Sequence, residues 1–492
     1  MQIKSPIESI KGMKVCVTME EIVQEMAPVA AFADYLTSDI SFLQGNPLVE
    51  ALPAAYSSDE EIREQIAFMP DFDESQTELP DQTRLMLVQS IADLFVPFER
   101  NVNLARQLDT VIRFGYRHRE LPSMKLQNAK PSSSSRRRNR EKFSSIASQK
   151  PMSMTLIAGS GSGKSTAVTN SLSGMPQVIF HPQHNLYQIT YLIVEIPSTA
   201  KSDIPFLKAV IAEIDRLLPG FGYKDTYLPS SKASSMRGVD WFSVVCDLLR
   251  THQVGILVIE EAQKLAKYTV GTEETLNSLL TIINSVKVPV LTVGTPAAME
   301  LLDSRLQDAR RACGLLNPVW QNLAFTEVSD NDEDQTEFET LIHLLASFNW
   351  TKTEIQITPE LLHEIFFYSQ GIVAVITLLF IFAQTRAIID GSENVTSETF
   401  RTVYENDLVF LHPMLKAHRD KDFAALSEFE DMKLSLSDIA KELGVELSKD
   451  GVTDSTTHVR RILCNKLIQT GLNAVSSDRV SKNALLTDNL IE

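Results

Sequence analysis

Residues Pro151–Val168 read PMSMTLIAGSGSGKSTAV. A short apolar run, a glycine- and serine-rich turn and a helix-forming segment follow one another, which is the order a phosphate-cradling loop (P-loop) needs. The glycines let backbone N–H groups turn inward onto phosphate oxygens, and the helix that follows adds the positive end of its dipole. Gly159, Ser160, Gly161, Ser162, Gly163, Lys164, Ser165 and Thr166 are the candidate nucleotide contacts. Lys164 reaches the β- and γ-phosphates in this geometry, and the Ser165 hydroxyl can sit on Mg²⁺. One position departs from the usual pattern: Ala158 stands where the first glycine is expected. The bland alternative is a glycine-rich turn that holds nothing, and strand, loop and helix in this order argue against it.

Working outward, QITYLIVEIP (188–197), GILVIE (255–260) and VPVLTVG (288–294) read as buried strands. Helical patterns such as FLKAVIAEIDRLL (206–218) and TLNSLLTIINSV (275–286) lie between them. Strands alternating with helices predict an α/β domain with a parallel sheet and helices on both faces. The strand 256–260 ends in two acids, Glu260 and Glu261. This is the Walker B pattern, in which the first acid holds Mg²⁺ and the second polarises the attacking water. Glu260 stands where Asp is usual, and its extra methylene moves the carboxylate by about 1.5 Å, one bond length. Slow hydrolysis is one expected consequence. The next strand ends in Gly294-Thr295-Pro296, and Thr295 is placed to help orient water. DSRLQDARRACG (303–314) then offers Arg310 and Arg311 just past a helix, where an arginine acting on a neighbouring subunit's γ-phosphate would sit. The plain readings of these features are solvated acids at a strand end and a solvated basic turn.

The 492 residues suffice for several domains. The run Ile372–Ala383 (IVAVITLLFIFA) is well short of the ~18 apolar residues of a membrane span and reads as a buried helix. The first residues carry no apolar signal core, and four scattered cysteines with no C-x-x-C predict neither a disulfide framework nor a zinc site. These features suit a reducing cytoplasm. The net charge of −17 argues against bulk attraction to nucleic acid, but it leaves room for a local basic channel.

Six segments are expected. Residues 1–82 read as an interaction arm, 83–125 as a helical lead-in and 126–149 as a basic, serine-rich linker. Residues 150–330 form the nucleotide-binding core, 331–420 an all-helical lid, and 421–492 a small helical module for partner docking. In that last segment SLSDIAKELGV and HVRRILCNKLIQTGL could form a helix-turn-helix, a pattern common by chance.

These blocks resemble AAA+ ATPases, and more narrowly the TnsC family, the AAA+ regulators of bacterial transposons mobilised by TnsA and TnsB. GNPLVEALP (45–53) and IRFGYRHRELP (112–122) are similar to segments that precede the ATPase core in that family. PQVIFH (176–181), YLIVEIP (191–197), ILVIEEAQKL (256–265), VPVLTVGTPAAMELL (288–302), DARRACG, SQGIVAVITLLFIFAQTRAI (369–388) and LHPML (411–415) follow in the family's order, with Asp expected at 260. AAA+ lids usually supply a second arginine near the SQG helix start. None stands there, and Arg386 is further on.

The resemblance implies an ATP- and Mg²⁺-dependent protein that assembles as a ring or helical oligomer around double-stranded DNA. It would receive a target-selector protein and activate TnsA and TnsB. It also suggests DNA contacts from Lys201 and, more weakly, Lys224 and Arg237, with Arg136, Arg137 and Arg138 as a further basic cluster; each is otherwise an ordinary surface cation. A small-molecule P-loop kinase, an initiator or helicase loader, and a nucleotide-gated scaffold with little hydrolysis are the competing readings.

Overall fold

The computed structural model describes residues 18–117 except 39, then 153–198, 204–228, 240–267, 286–298, 319–325 and 336–422, with 119 and 426. In chain order the first elements are α1 (Met19–Met26), β1 (Ala30–Phe32), α2 (Pro47–Glu50), α3 (Asp59–Ile66), α4 (Asp81–Val88) and α5 (Glu99–Tyr116). The middle of the chain forms β2 (Ser153–Ala158), α6 (Lys164–Ser173), β3 (Val178–His181), β4 (Leu186–Ile189), β5 (Tyr191–Glu195), α7 (Ile204–Leu217), α8 (Tyr223–Tyr227), α9 (Trp241–Thr251), β6 (Ile256–Glu260), β7 (Val290–Gly294) and β8 (Val319–Trp320). The last described elements are α10 (Glu337–Ser347), α11 (Pro359–Ser369), α12 (Val373–Ile389), α13 (Ser397–Thr402) and α14 (His412–Asp420).

Two units divide the chain. The first holds Met1–Ile66, Glu99–Ala158 and Lys164–Val319; the second holds Ala67–Phe98, Gly159–Gly163 and Trp320–Glu492.

The first unit is built on a five-stranded sheet of order β5-β6-β7-β2-β8, in which β5, β6, β7 and β2 pair in parallel. Ile256, Leu257, Val258 and Ile259 are all fully buried, so both faces of β6 are covered, as a central parallel strand requires. Leu257 and Ile259 join the core made with α7 and α9. Successive strand residues alternate faces, so Ile256 and Val258 point to the other side, where α5 contacts β6 and α6. On α7, Phe206, Leu207, Val210, Ile211, Ile214 and Leu217 fall on one helical stripe and are all buried.

Two expectations change here. The single strand expected over 188–197 is two strands. β4 pairs antiparallel with β3 in a second sheet, β1-β3-β4, and β5 belongs to the main sheet. The chain switches at buried Thr190, whose hydroxyl donates to the Pro176 carbonyl at 2.5 Å. Within the segment read as an interaction arm, the described residues are folded from Thr18 onward. Thr18 caps α1 in a capping box, and β1 pairs in parallel with β3.

The continuous helical lead-in is also interrupted. α4 ends before Pro97, α5 begins at Glu99, and the two fall in different units. The helix has already given way to a 3-10 turn at Gln89–Asp93, and Pro97 disfavours helical geometry at the residue before it.

The 45–53 and 112–122 blocks meet in the first unit. The Asn46 side chain donates to the Tyr116 carbonyl at 2.8 Å, and Arg113 donates to the Pro53 carbonyl at 2.7 Å. Arg119 donates to the carbonyls of Val254 (2.5 Å) and Lys287 (3.0 Å), just ahead of β6 and β7. These two blocks therefore brace the strands at the end where β6 and β7 begin.

Among its described residues the second unit is mainly helical, with Trp320 at the end of β8 and an isolated antiparallel bridge between Phe68 and Phe95. Its core gathers Phe338, Leu345, Trp350, Ile365, Ile376, Phe380 and Phe400, with Leu85, Val88 and Ile91 supplied by the 67–98 segment. Buried Arg84 fixes that segment, donating to Glu393 (2.7 and 2.5 Å), Asp81 (2.7 Å) and the Trp350 carbonyl (3.0 Å). The run Ile372–Ala383 supplies the N-cap and the first part of α12 and is mostly buried, as expected. Among the described residues no single helix is long and apolar enough to cross a membrane.

Candidate active site

The P-loop joins β2 to α6. Ala158 is the last residue of β2 and is buried, so the usual first glycine is replaced at a position where the chain is simply a strand. Left-handed geometry falls instead on Gly161 (φ +76°) and Gly163 (φ +83°), and a Cβ at Gly163 would meet nothing within 4 Å. Those two positions need glycine because L side chains disfavour positive φ. The buried Ser162 hydroxyl has no hydrogen-bond partner among the described residues. In the second unit, the Gly161 carbonyl accepts from the Ala374 N–H at 3.0 Å, at the start of α12. Lys164 and Ser165 form the first turn of α6, and Thr166 is exposed.

In the first unit, the Ser165 hydroxyl donates to the Glu260 carboxylate. The longer Glu side chain therefore reaches the P-loop serine. Burial holds the Glu260 carboxyl above the ordinary glutamate range; the Ser165 bond and the Lys164 charge pull it down, and Glu261 and Glu195 push it up. A hydroxyl and a partly desolvated carboxylate in contact are a hard-oxygen pair suited to Mg²⁺. In the first unit, this pair fits the metal of a magnesium nucleoside triphosphate.

Glu261 sits just past β6 with φ +60°, a region sparsely occupied by non-glycine residues and often found at functional sites. Its Oε2 accepts from Gln263 Nε2 at 3.2 Å and lies 3.8 Å from Lys264 Nζ. Lys264 also pairs with Glu195, at the end of β5. Thr295, buried at the end of β7, donates its N–H to Gln263 Oε1 at 3.2 Å. The sheet register sets Glu195 opposite Glu260 and Ile157 opposite Gly294, so these groups collect at the carboxyl ends of parallel strands, where open α/β sheets bind ligands.

Glu260, Glu261, Thr295 and Ser165 thus come together. Lys224 is exposed in the first turn of α8, next to Asp225, with its N–H held by Asp215. Arg386 is ion-paired with Asp407 at 2.9 Å inside the lid. Arg136, Arg137, Arg138, Lys201, Arg237, Arg310 and Arg311 lie outside the described residues. Gln263 and Lys264 were not singled out by the sequence: both lie in the EEAQK run, but nothing in it says that the Gln263 amide turns back toward β7.

Residues 147–302 match the AAA domain family. No curated protein matches the chain. Among solved structures, the chain is similar to the Aeropyrum pernix ORC2 protein in its ADPNP–ADP complexes: 12% identity, 70% of this chain and 92% of that one, TM-score 0.35. It is also similar to a Walker-type ATPase of Pyrococcus abyssi (12%, 67% and 88%, 0.33) and to Drosophila ORC bound to DNA (13%, 69% and 79%, 0.32). Sheet order, P-loop, paired acids and the match over 147–302 together make this an AAA+ domain followed by a helical lid.

Proposed function

We propose that this chain is an ATP-dependent, DNA-binding regulator of DNA transposition of the TnsC type. The observation that carries the ATPase part is the Ser165–Glu260 contact beside the Glu261–Gln263–Thr295 chain of hydrogen bonds. When bound, Mg²⁺–ATP supplies the phosphoryl group whose hydrolysis resets the switch. Gly159–Gly163 and Lys164 hold phosphate oxygens, and Ser165 and Glu260 hold the metal. Glu261 takes a proton from the attacking water, and Thr295 helps fix that water. Arg310 or Arg311 acts on the γ-phosphate of a neighbouring subunit, so the site is completed by assembly.

Support for the transposition part comes from the ordered sequence blocks, two of which, 45–53 and 112–122, are hydrogen-bonded to each other. In this reading the chain assembles on double-stranded DNA in the bacterial cytoplasm. Lys201, Lys224 and Arg237 touch backbone phosphate, and the assembly joins a target selector to TnsA and TnsB.

A DNA-retention assay with Lys164→Ala tests the reading. The wild-type chain should retain duplex DNA only with Mg²⁺ and an ATP analogue, and the variant should not. Equal, nucleotide-independent retention by both would refute the switch. Insertion by TnsA and TnsB that proceeds equally without this chain would refute the transposition role.

A further inference from the structure

We propose that Gln263 is the positioning residue that ties the end of β7 to Glu261 and sets its carboxylate for attack. The inference rests on the reading of Glu261 as the base. The amide's orientation is dictated by its partners: the Thr295 N–H needs an acceptor, and the Glu261 carboxylate needs a donor. Gln263 is 3% exposed, and its bond from the Thr295 N–H is buried, while the one to Glu261 is part-buried. Gly294 makes room for it, since a Cβ there would stand 3.3 Å from Gln263 Oε1 and 2.9 Å from the Ala298 Cβ. Gln263 and Lys264 both address the same Glu261 oxygen, Oε2. Oε2 is thereby anchored from two sides. A shift at the end of β7 moves the base through a single buried amide.

The test uses the full chain with Gln263→Met, Gln263→Glu, Glu261→Gln and Glu261→Ala. Gln263→Met removes both bonds. It should lower kcat about 10- to 100-fold, with KM and the affinity for a fluorescent ATP analogue within about twofold. Gln263→Glu keeps an acceptor for the Thr295 N–H and so guards against a folding failure. Its added charge faces Glu261 among Glu260, Lys264, Glu195 and Lys164, which are common to all variants. Gln263→Glu should nevertheless lower kcat, because a carboxylate at 263 has no N–H to donate to Glu261.

In the nucleotide-free protein, the melting-point losses of Gln263→Met and Glu261→Ala should combine to less than their sum. Wild-type kcat in Gln263→Met, or additive melting losses, overturns the proposal. If Glu261→Gln hydrolyses ATP normally, the base reading fails instead. If Glu261→Gln is inactive and Gln263→Met is not, the positioning role alone falls.

Discussion

Replacing Gly371 by alanine should damage the lid far more than the same change at Gly391, although both glycines have left-handed backbones (φ +68° and +73°). At either position an L residue costs about 1–2 kcal/mol for the backbone conformation alone. At Gly391 a Cβ meets nothing within 4 Å, so the cost should stop there. At Gly371 the Cβ would lie 2.0 Å from the Leu323 carbonyl oxygen, a contact no structure accommodates without moving. That movement breaks the hydrogen bond from the Leu323 N–H to the Gly371 carbonyl, now 2.9 Å. The lost bond adds about 1 kcal/mol and the forced shift another 1–3 kcal/mol. The total for Gly371→Ala is about 3–6 kcal/mol. At roughly 2–4 °C per kcal/mol, its melting point should fall at least about twice as far as that of Gly391→Ala. Gly371 lies three residues before Ala374, whose N–H holds the Gly161 carbonyl, so Gly371→Ala should also weaken binding of a fluorescent ATP analogue while Gly391→Ala leaves it intact. Equal melting losses would show that the close approach to Leu323 is not what constrains Gly371.

Arg84→Met should lower lid stability by about 3–5 kcal/mol, because it strands the Glu393 carboxylate and the Trp350 carbonyl; denaturant titration that shows no loss would contradict the buried ion pair. Burial pushes His252 from 6.5 down to about 4, with Nδ1–H donating to the Tyr187 carbonyl and Nε2 accepting from the Tyr223 hydroxyl. The unfolded chain then takes up a proton that the folded one refuses, so stability falls as pH drops from about 6.5 to about 4, by up to about 3 kcal/mol, and His252→Gln should flatten that slope in acid melting curves. Glu260 has a raised folded pKa, so its charged form costs stability above that pKa and the cost vanishes as pH falls through it. Glu260→Gln should therefore raise the melting point of the nucleotide-free protein at pH 8, by less at lower pH, and abolish the further rise given by Mg²⁺–ATP; an unchanged Mg²⁺–ATP shift would remove Glu260 from the metal site.

What the sequence announces about this site is what neighbouring residues can write. The β2–loop–α6 order, the buried β6 run with its two acids and the β7 end at Thr295 each lie within a few positions and carry their own periodicity. The break at Thr190 is hidden because apolar residues continue on both sides, and the hydroxyl bond that marks the switch goes to Pro176, 14 positions away in sequence. The membership of 67–98 in the lid is hidden too, since Arg84 meets Glu393 across 309 positions of sequence. Gln263 lies in plain sight two residues past Glu261, but only the closeness of Gly294 and Thr295 gives its amide a role.

The central claim is that nucleotide binding at this site gates assembly on DNA. Negative-stain imaging of the full chain with duplex DNA, with and without Mg²⁺ and a non-hydrolysable ATP analogue, tests it most directly. Rings or filaments on DNA only when nucleotide is present are the predicted result. Nucleotide-bound monomers that ignore DNA would contradict it.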